Sequence, residues 1–246
     1  MNAKEKKKEQ KPRSEDSDAG TADLIRELGL AAPGTDFESD LQYISIIGSI
    51  EGHIALPMEN KTTKYEHLIP QLIAVEENPK LRGLLVILNT MGGDVEAGLA
   101  LAEMIATLSK PTVSLVLGGG HSIGIPLATA TDYSFIAGTA TMTLHPIRTT
   151  GLVITAETTF DYMRKTQDRV IDFIAGHSRA TRKRVTELMN CSDNMSNDVG
   201  TILFGKEAVD AGIIDAVGGV SQALGELRRR VAKVDELEKG ISASID

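Results

Sequence analysis

Two apolar runs in this chain end in glycine, and each is followed at once by a helical pattern. Leu84-Leu85-Val86-Ile87-Leu88 leads into Asn89-Thr90-Met91-Gly92-Gly93-Asp94, after which Leu99, Ala102, Met104, Ile105 and Leu108 keep helical spacing over Val95–Leu108. Thr112 to Leu117 leads into Gly118-Gly119-Gly120-His121-Ser122-Ile123-Gly124, with a short, nearly apolar helix predicted over Ser122–Thr129. Leu84–Leu88 is wholly apolar and Thr112–Leu117 is apolar except for Thr112 and Ser114, and runs of this kind read as strands covered on both faces. Strand, glycine turn and helix, repeated in succession, call for crossover connections and an α/β layered fold.

The remaining patterns extend this scheme. Tyr43–Gly48 reads as a first buried strand, and Lys64–Val75 as a helix with Leu68, Ile69, Leu72 and Ile73 on one side, closed by Pro79. Tyr133–Ala137 and Thr141–Leu144 read as two more strands. From Thr158 onward the spacing is helical, first through Phe160, Met163, Val170, Phe173 and Ile174, then over Ala180–Met189, Ala208–Ala211 and Gln222–Val234. Thr21–Leu30 fits a short helix. Residues 1–20 are charged and almost without apolar side chains, so they read as a disordered tail, and 21–246 as one domain. Met163, Val170 and Phe173 are expected to leave apolar surface for subunit contacts.

Composition narrows the function. Acidic residues outnumber basic ones 34 to 26, and aromatics are 4%, which argues against nucleic acid as the main partner. A single cysteine, Cys191, excludes an internal disulfide and a Cys-rich zinc site. The N-terminus has no apolar signal stretch. The longest uncharged run, residues 111–131, holds too many glycines and prolines for a membrane span. These features predict a cytoplasmic protein.

Gly120-His121-Ser122-Ile123-Gly124 fits G-x-S-x-G at a strand-to-helix turn, where small neighbours let a hydroxyl project into open space. Such a serine needs a base. Of His53, His67, His121, His145 and His177, only His145 ends a buried strand. His121 is expected to point away from Ser122, His67 and His177 to face solvent, and His53 to lack a partner. Gly92-Gly93 offers open backbone N–H groups to a developing oxyanion. Taken singly, Ser122 fits a helix cap, His145 a hydrogen-bonded core histidine and Cys191 a structural residue. Gly118-Gly119-Gly120 lacks the G-K-[ST] of a phosphate loop.

The segment Asn89-Thr90-Met91-Gly92-Gly93 with Gly98 resembles the N-S-P-G-G…G of ClpP-type serine peptidases. Lys110-Pro111 through Gly124, Thr141-Met142-Thr143-Leu144-His145, and Lys206 to Asp215 with its E-A-x-x-x-G-x-[IV]-D pattern resemble further motifs of that family, in the same order over about 40–220. The resemblance implies a ClpP/crotonase-like α/β fold of stacked sheet and helix layers built from ββα-type crossover units. It implies Ser122 as nucleophile, His145 as base and an oxyanion hole from the N–H groups of Gly93 and Ile123, without metal or other cofactor. It also implies a ring-shaped homo-oligomer enclosing a chamber, protein or peptide substrates, an AAA+ ATPase partner and a link to protein export.

Two departures stand out. Counting back from Ala208 puts Gly200 where the family carries its catalytic Asp, and Pro146 follows His145 directly, where the family has one residue between. Asp198, two positions earlier, is the nearest carboxylate and the expected triad acid, with Asp193 beyond it. A crotonase-type CoA-thioester enzyme and a catalytically silent scaffold for translocation are the alternative readings.

Overall fold

A computed structural model describes residues 39–148, 155–192 and 199–242. Its centre is a parallel sheet in the order β2–β1–β3–β4–β5–β8, with strands Leu41–Glu51 (β1), Thr62–Lys64 (β2), Gly83–Gly93 (β3), Thr112–Gly120 (β4), Tyr133–Ile136 (β5) and Ala216–Val217 (β8). Thr141–Leu144 (β6) and Thr201–Phe204 (β7) form an antiparallel pair that joins β4 at Gly119↔Thr141. The helices are Tyr65–Glu77 (α1), Val95–Ala106 (α2), Gly124–Thr129 (α3), Ala156–Gly176 (α4), Arg182–Met189 (α5), Gly205–Asp210 (α6) and Val220–Ser242 (α7).

The apolar runs behave as covered strands should. Leu84, Val86 and Leu88 face a large core completed by Leu72, Leu101, Ile105, Ile125 and Leu127 from α1, α2 and α3. The intervening Leu85 faces the other way, into a smaller core where Ala223, Leu227 and Val231 of α7 pack on Val113, Leu115 and Phe135. Alternate side chains therefore enter two separate apolar layers, and no position in the run can be polar without cost. The layered α/β architecture expected from the sequence is the one observed.

Several local expectations change. β1, β3 and β4 run further than their apolar cores: the glycine clusters continue β3 and β4, and Ser49 and Ile50 of β1 pair with that glycine end of β3. The helix expected from Ser122 begins at Gly124 and lasts only six residues, leaving Ser122 in the turn itself. Val170 and Phe173 are buried against the body (both 6% exposed), whereas Phe160 and Tyr162 on the outward part of α4 are exposed. The apolar surface of that helix lies one to three turns earlier than expected. β2, β7 and β8 were not anticipated. The segments 1–20 and Thr21–Leu30 lie outside the described residues, as do Asp193 and Asp198.

Ion pairs fix the long helix in place. Arg169 on α4 reaches both carboxylate oxygens of Glu96 on α2 at 2.7 and 3.1 Å, and Arg182 on α5 binds Asp168 and Asp172 of α4. The Arg169 hydrogen bonds hold the Glu96 carboxyl below the usual carboxylate range. These pairs are solvent-exposed, so their role is alignment more than stability.

Candidate active site

The sheet frays on purpose where the glycines lie. Pairing between β1 and β3 slips after Gly48↔Thr90, so that Ser49 meets Gly92 and Met91 is squeezed outward. Pairing between β3 and β4 slips after Leu88↔Val116, so that Thr90 meets Gly120. Extra residues in one strand bend it away from its partner. Two side chains hold the bends. Asn89 Oδ1 accepts from Gly119 N at 2.9 Å. Thr90 Oγ1 donates to Gly48 O at 2.6 Å and accepts from Gly92 N at 3.0 Å, while Thr90 O accepts from His121 N at 3.1 Å. Thr90 thus ties the Gly92-Gly93 cluster to the Ser122 turn, a role that its place in the motif did not reveal.

Ser122 sits in that turn with φ 55°, the one positive φ among the described non-glycine residues. A left-handed residue with a Cβ is strained, and such strain concentrates at functional sites. Small neighbours make it possible: a Cβ built on Gly92 would lie 2.7 Å from Ser122 Cβ. Ser122 N donates to Thr143 O of β6 at 2.9 Å, and Gly124 N donates to His121 O at 2.8 Å. The Ile123 N–H between them donates to no backbone acceptor among the described residues.

The bond to Thr143 brings β6 alongside the turn, and His145 follows Thr143 by two residues. Ser122, Ile123, Gly93 and His145 all line one cavity of about 150 Å³. Its walls are mainly apolar, from Val95, Ile125, Leu144, Val170, Ile174 and Met189, with Arg148 also present. Ser122 and His145 are not hydrogen-bonded to each other, which is common for such pairs before substrate tightens the geometry. The four expected site residues other than the acid are therefore brought together.

The other histidines separate cleanly. His121 turns away from the cavity, across Gly119, and its Nδ1 pairs with Thr143 Oγ1 at 2.9 Å. Burial pushes the His121 imidazole below its ordinary range, and the nearby His145 pushes it the same way. His53, expected to be alone, stacks edge-on against Tyr65, with Nδ1 3.5 Å from the phenol oxygen. His177 stacks on Phe173 and bonds its carbonyl.

His145 Nδ1 lies 2.7 Å from Pro146 O. Gly200, at φ 141°, packs against the same strand end, and a Cβ there would fall 2.3 Å from Leu144 O and 3.0 Å from His145 Cβ. No side chain fits at 200 without moving the histidine strand. Restoring an acid by Gly200→Asp is therefore expected to destabilise the protein by about 3 kcal/mol or more. It should also lower rather than raise any activity; thermal melts and assays of the same preparation check both. Among the described residues no cluster of three His, Cys, Asp or Glu side chains is placed to hold a metal.

A chain with parallel strands splaying into two glycine turns around a strained serine and a strand-end histidine has the architecture of a Clp-type peptidase. The Clp protease family pattern matches residues 39–221, and the chain belongs to that family. It is 53% identical, over 222 residues, to the translocation-enhancing protein TepA of Halalkalibacterium halodurans, covering 90% of this chain and 87% of that one. The fold is also that of a ClpP1 mutant from Listeria monocytogenes, at TM-score 0.60 and 19% identity, over 74% of this chain and 94% of the other. No described helix is long and apolar enough to cross a membrane.

Proposed function

We propose that this chain is a serine endopeptidase that works by acyl transfer on unfolded polypeptides. The observation that carries the reading is the strained Ser122, opening on the same cavity as His145, Gly93 and Ile123. Ser122 Oγ adds to the scissile carbonyl carbon as its proton passes to His145 Nε2. The carbonyl oxygen, now an anion, accepts from the N–H groups of Gly93 and Ile123. The C–N bond then breaks, the leaving amine takes the proton from Nε2, and a peptide ester remains on Ser122. Water repeats the sequence, giving its proton to His145 and freeing the acid. The apolar walls favour an apolar side chain before the cleaved bond, with each methylene that fills the pocket worth about 10–200-fold. A fluorophosphonate probe should modify Ser122 and no other serine; an unmodified Ser122 in folded protein would count for the silent scaffold instead.

The protomer is read as one unit of a closed ring. Met58, Ile54, Met91 and Phe160 are all more than two-thirds exposed (102, 79, 70 and 68%), and they are the apolar side chains this reading offers to neighbouring subunits. The family likeness supports about six or seven subunits per ring. Light scattering at micromolar concentration is expected to give that mass, and a monomer mass would remove the chamber from the proposal. The name of the Halalkalibacterium relative supports protein export as the setting, with an AAA+ ATPase as the candidate feeder.

A further inference from the structure

We infer that His145 is oriented by the main-chain carbonyl of Pro146, held in turn by Gln167 of α4, and not by a carboxylate. The inference rests on the peptidase reading for its kinetic consequences only. A carbonyl oxygen can only accept, so the 2.7 Å contact requires the proton on Nδ1. That leaves Nε2 with its lone pair free, which is the form a base needs to take the Ser122 proton. A neutral imidazole has one ring N–H, and here it has its acceptor.

The peptide that supplies this acceptor is pinned at its other end. Pro146 C=O and Ile147 N–H belong to one planar unit, and Ile147 N donates to Gln167 Oε1 at 3.2 Å. Donation from the N–H polarises the same peptide and strengthens its carbonyl as an acceptor. Gln167 is half-buried on α4, next to the buried Thr166 and two residues before Arg169, whose pair with Glu96 ties α4 to α2. Proline at 146 contributes a fixed φ and no competing N–H.

Both departures from the family pattern then belong to one device. The residue directly after His145 turns its carbonyl back to the ring. The position of the family acid is a glycine whose Cβ direction is filled by Leu144 O and His145 itself. His121 and Arg148 are the ionisable side chains that the described structure sets near His145; Arg148 has no acceptor, and His121 turns away across Gly119 with its Nδ1 on Thr143 Oγ1.

The test uses the full-length protein, with Asp198→Asn, Gln167→Leu and Gln167→Glu. In ¹⁵N spectra of histidine-labelled protein, with His145 assigned by its absence from His145→Asn, Nδ1 should carry the proton in wild type and in Asp198→Asn alike. Asp198→Asn should keep kcat/KM within about tenfold, against the about 10⁴-fold loss known when a triad carboxylate is neutralised. Gln167→Leu should lower kcat about tenfold with little change in KM, as for one weakened hydrogen bond. Gln167→Glu, which still accepts from Ile147 N–H, should restore kcat. A proton on Nε2, an Nδ1 signal that changes in Asp198→Asn, or a thousandfold loss in that variant would overturn the inference. If the wild type hydrolyses nothing, the peptidase reading fails, and the tautomer in the spectra still decides this one.

Discussion

Ser122→Ala is expected to fold and assemble as the wild type does and to lose peptide-bond hydrolysis by about 10⁴–10⁶-fold, because members of a nucleophile–base unit fail together. Ala carries the same Cβ into the same left-handed turn, at φ 55°, so the strain of about 1–2 kcal/mol is unchanged. Only the hydroxyl is gone, and it makes no hydrogen bond among the described residues that folding would miss. Hydrolysis of a casein-like unfolded substrate, measured beside a melting curve, separates the chemical loss from a folding loss. Unchanged turnover by a pure mutant would show that Ser122 is not the nucleophile.

Gly93→Ala is expected to have the largest structural effect of any methyl added near the site. At φ 150° an alanine is strained before it touches anything, and its Cβ would sit 2.3 Å from Ile50 O and 2.6 Å from Ile50 N. Both are backbone atoms of the neighbouring strand, which cannot rotate aside as a side chain could. Either β1 and β3 separate at their glycine end or the 93 peptide turns over, and each removes the Gly93 N–H from the oxyanion site. A loss of about 3 kcal/mol or more is expected, with activity down at least about 100-fold in whatever remains folded. A soluble, fully active Gly93→Ala protein would deny this N–H its role.

How far the chain could be read beforehand differs between its parts. The run Leu84–Leu88 announces a covered strand because every residue in it is apolar, whereas Thr112–Leu117 is apolar except for Thr112 and Ser114, whose hydroxyls donate to the Asp132 carboxylate and to Ala128 O. β2, β7 and β8 have two to four residues each, too few for a period to register. Met91 is thrown outward by a register slip that depends on the neighbouring strand, which no local pattern encodes. Val170 and Phe173 are buried where the sequence predicts open apolar surface, because helical spacing shows that a face is apolar, not what covers it.

The site divides along the same line. Ser122, Gly93 and His145 stand out as candidates because side-chain type and glycine spacing carry the chemistry proposed for them. The family resemblance names Ile123 but not Pro146; both would act through main-chain atoms, which every residue has, so no residue letter marks them. Asn89 and Thr90 stand inside a recognised motif, yet their work is in binding one glycine loop to the other across strands. Gln167 lies twenty residues after Ile147 on a different element, and only the folded chain sets its amide against that peptide.

The most direct measurement is a structure of the assembled protein with a peptide boronate in place. The expected result is a covalent bond from boron to Ser122 Oγ, with one boronate oxygen within about 3.2 Å of both Gly93 N and Ile123 N. His145 Nε2 should lie within hydrogen-bonding reach of Ser122 Oγ or of the second boronate oxygen. A boronate absent from Ser122, or bound there with its oxygens turned away from those two N–H groups, would contradict the account.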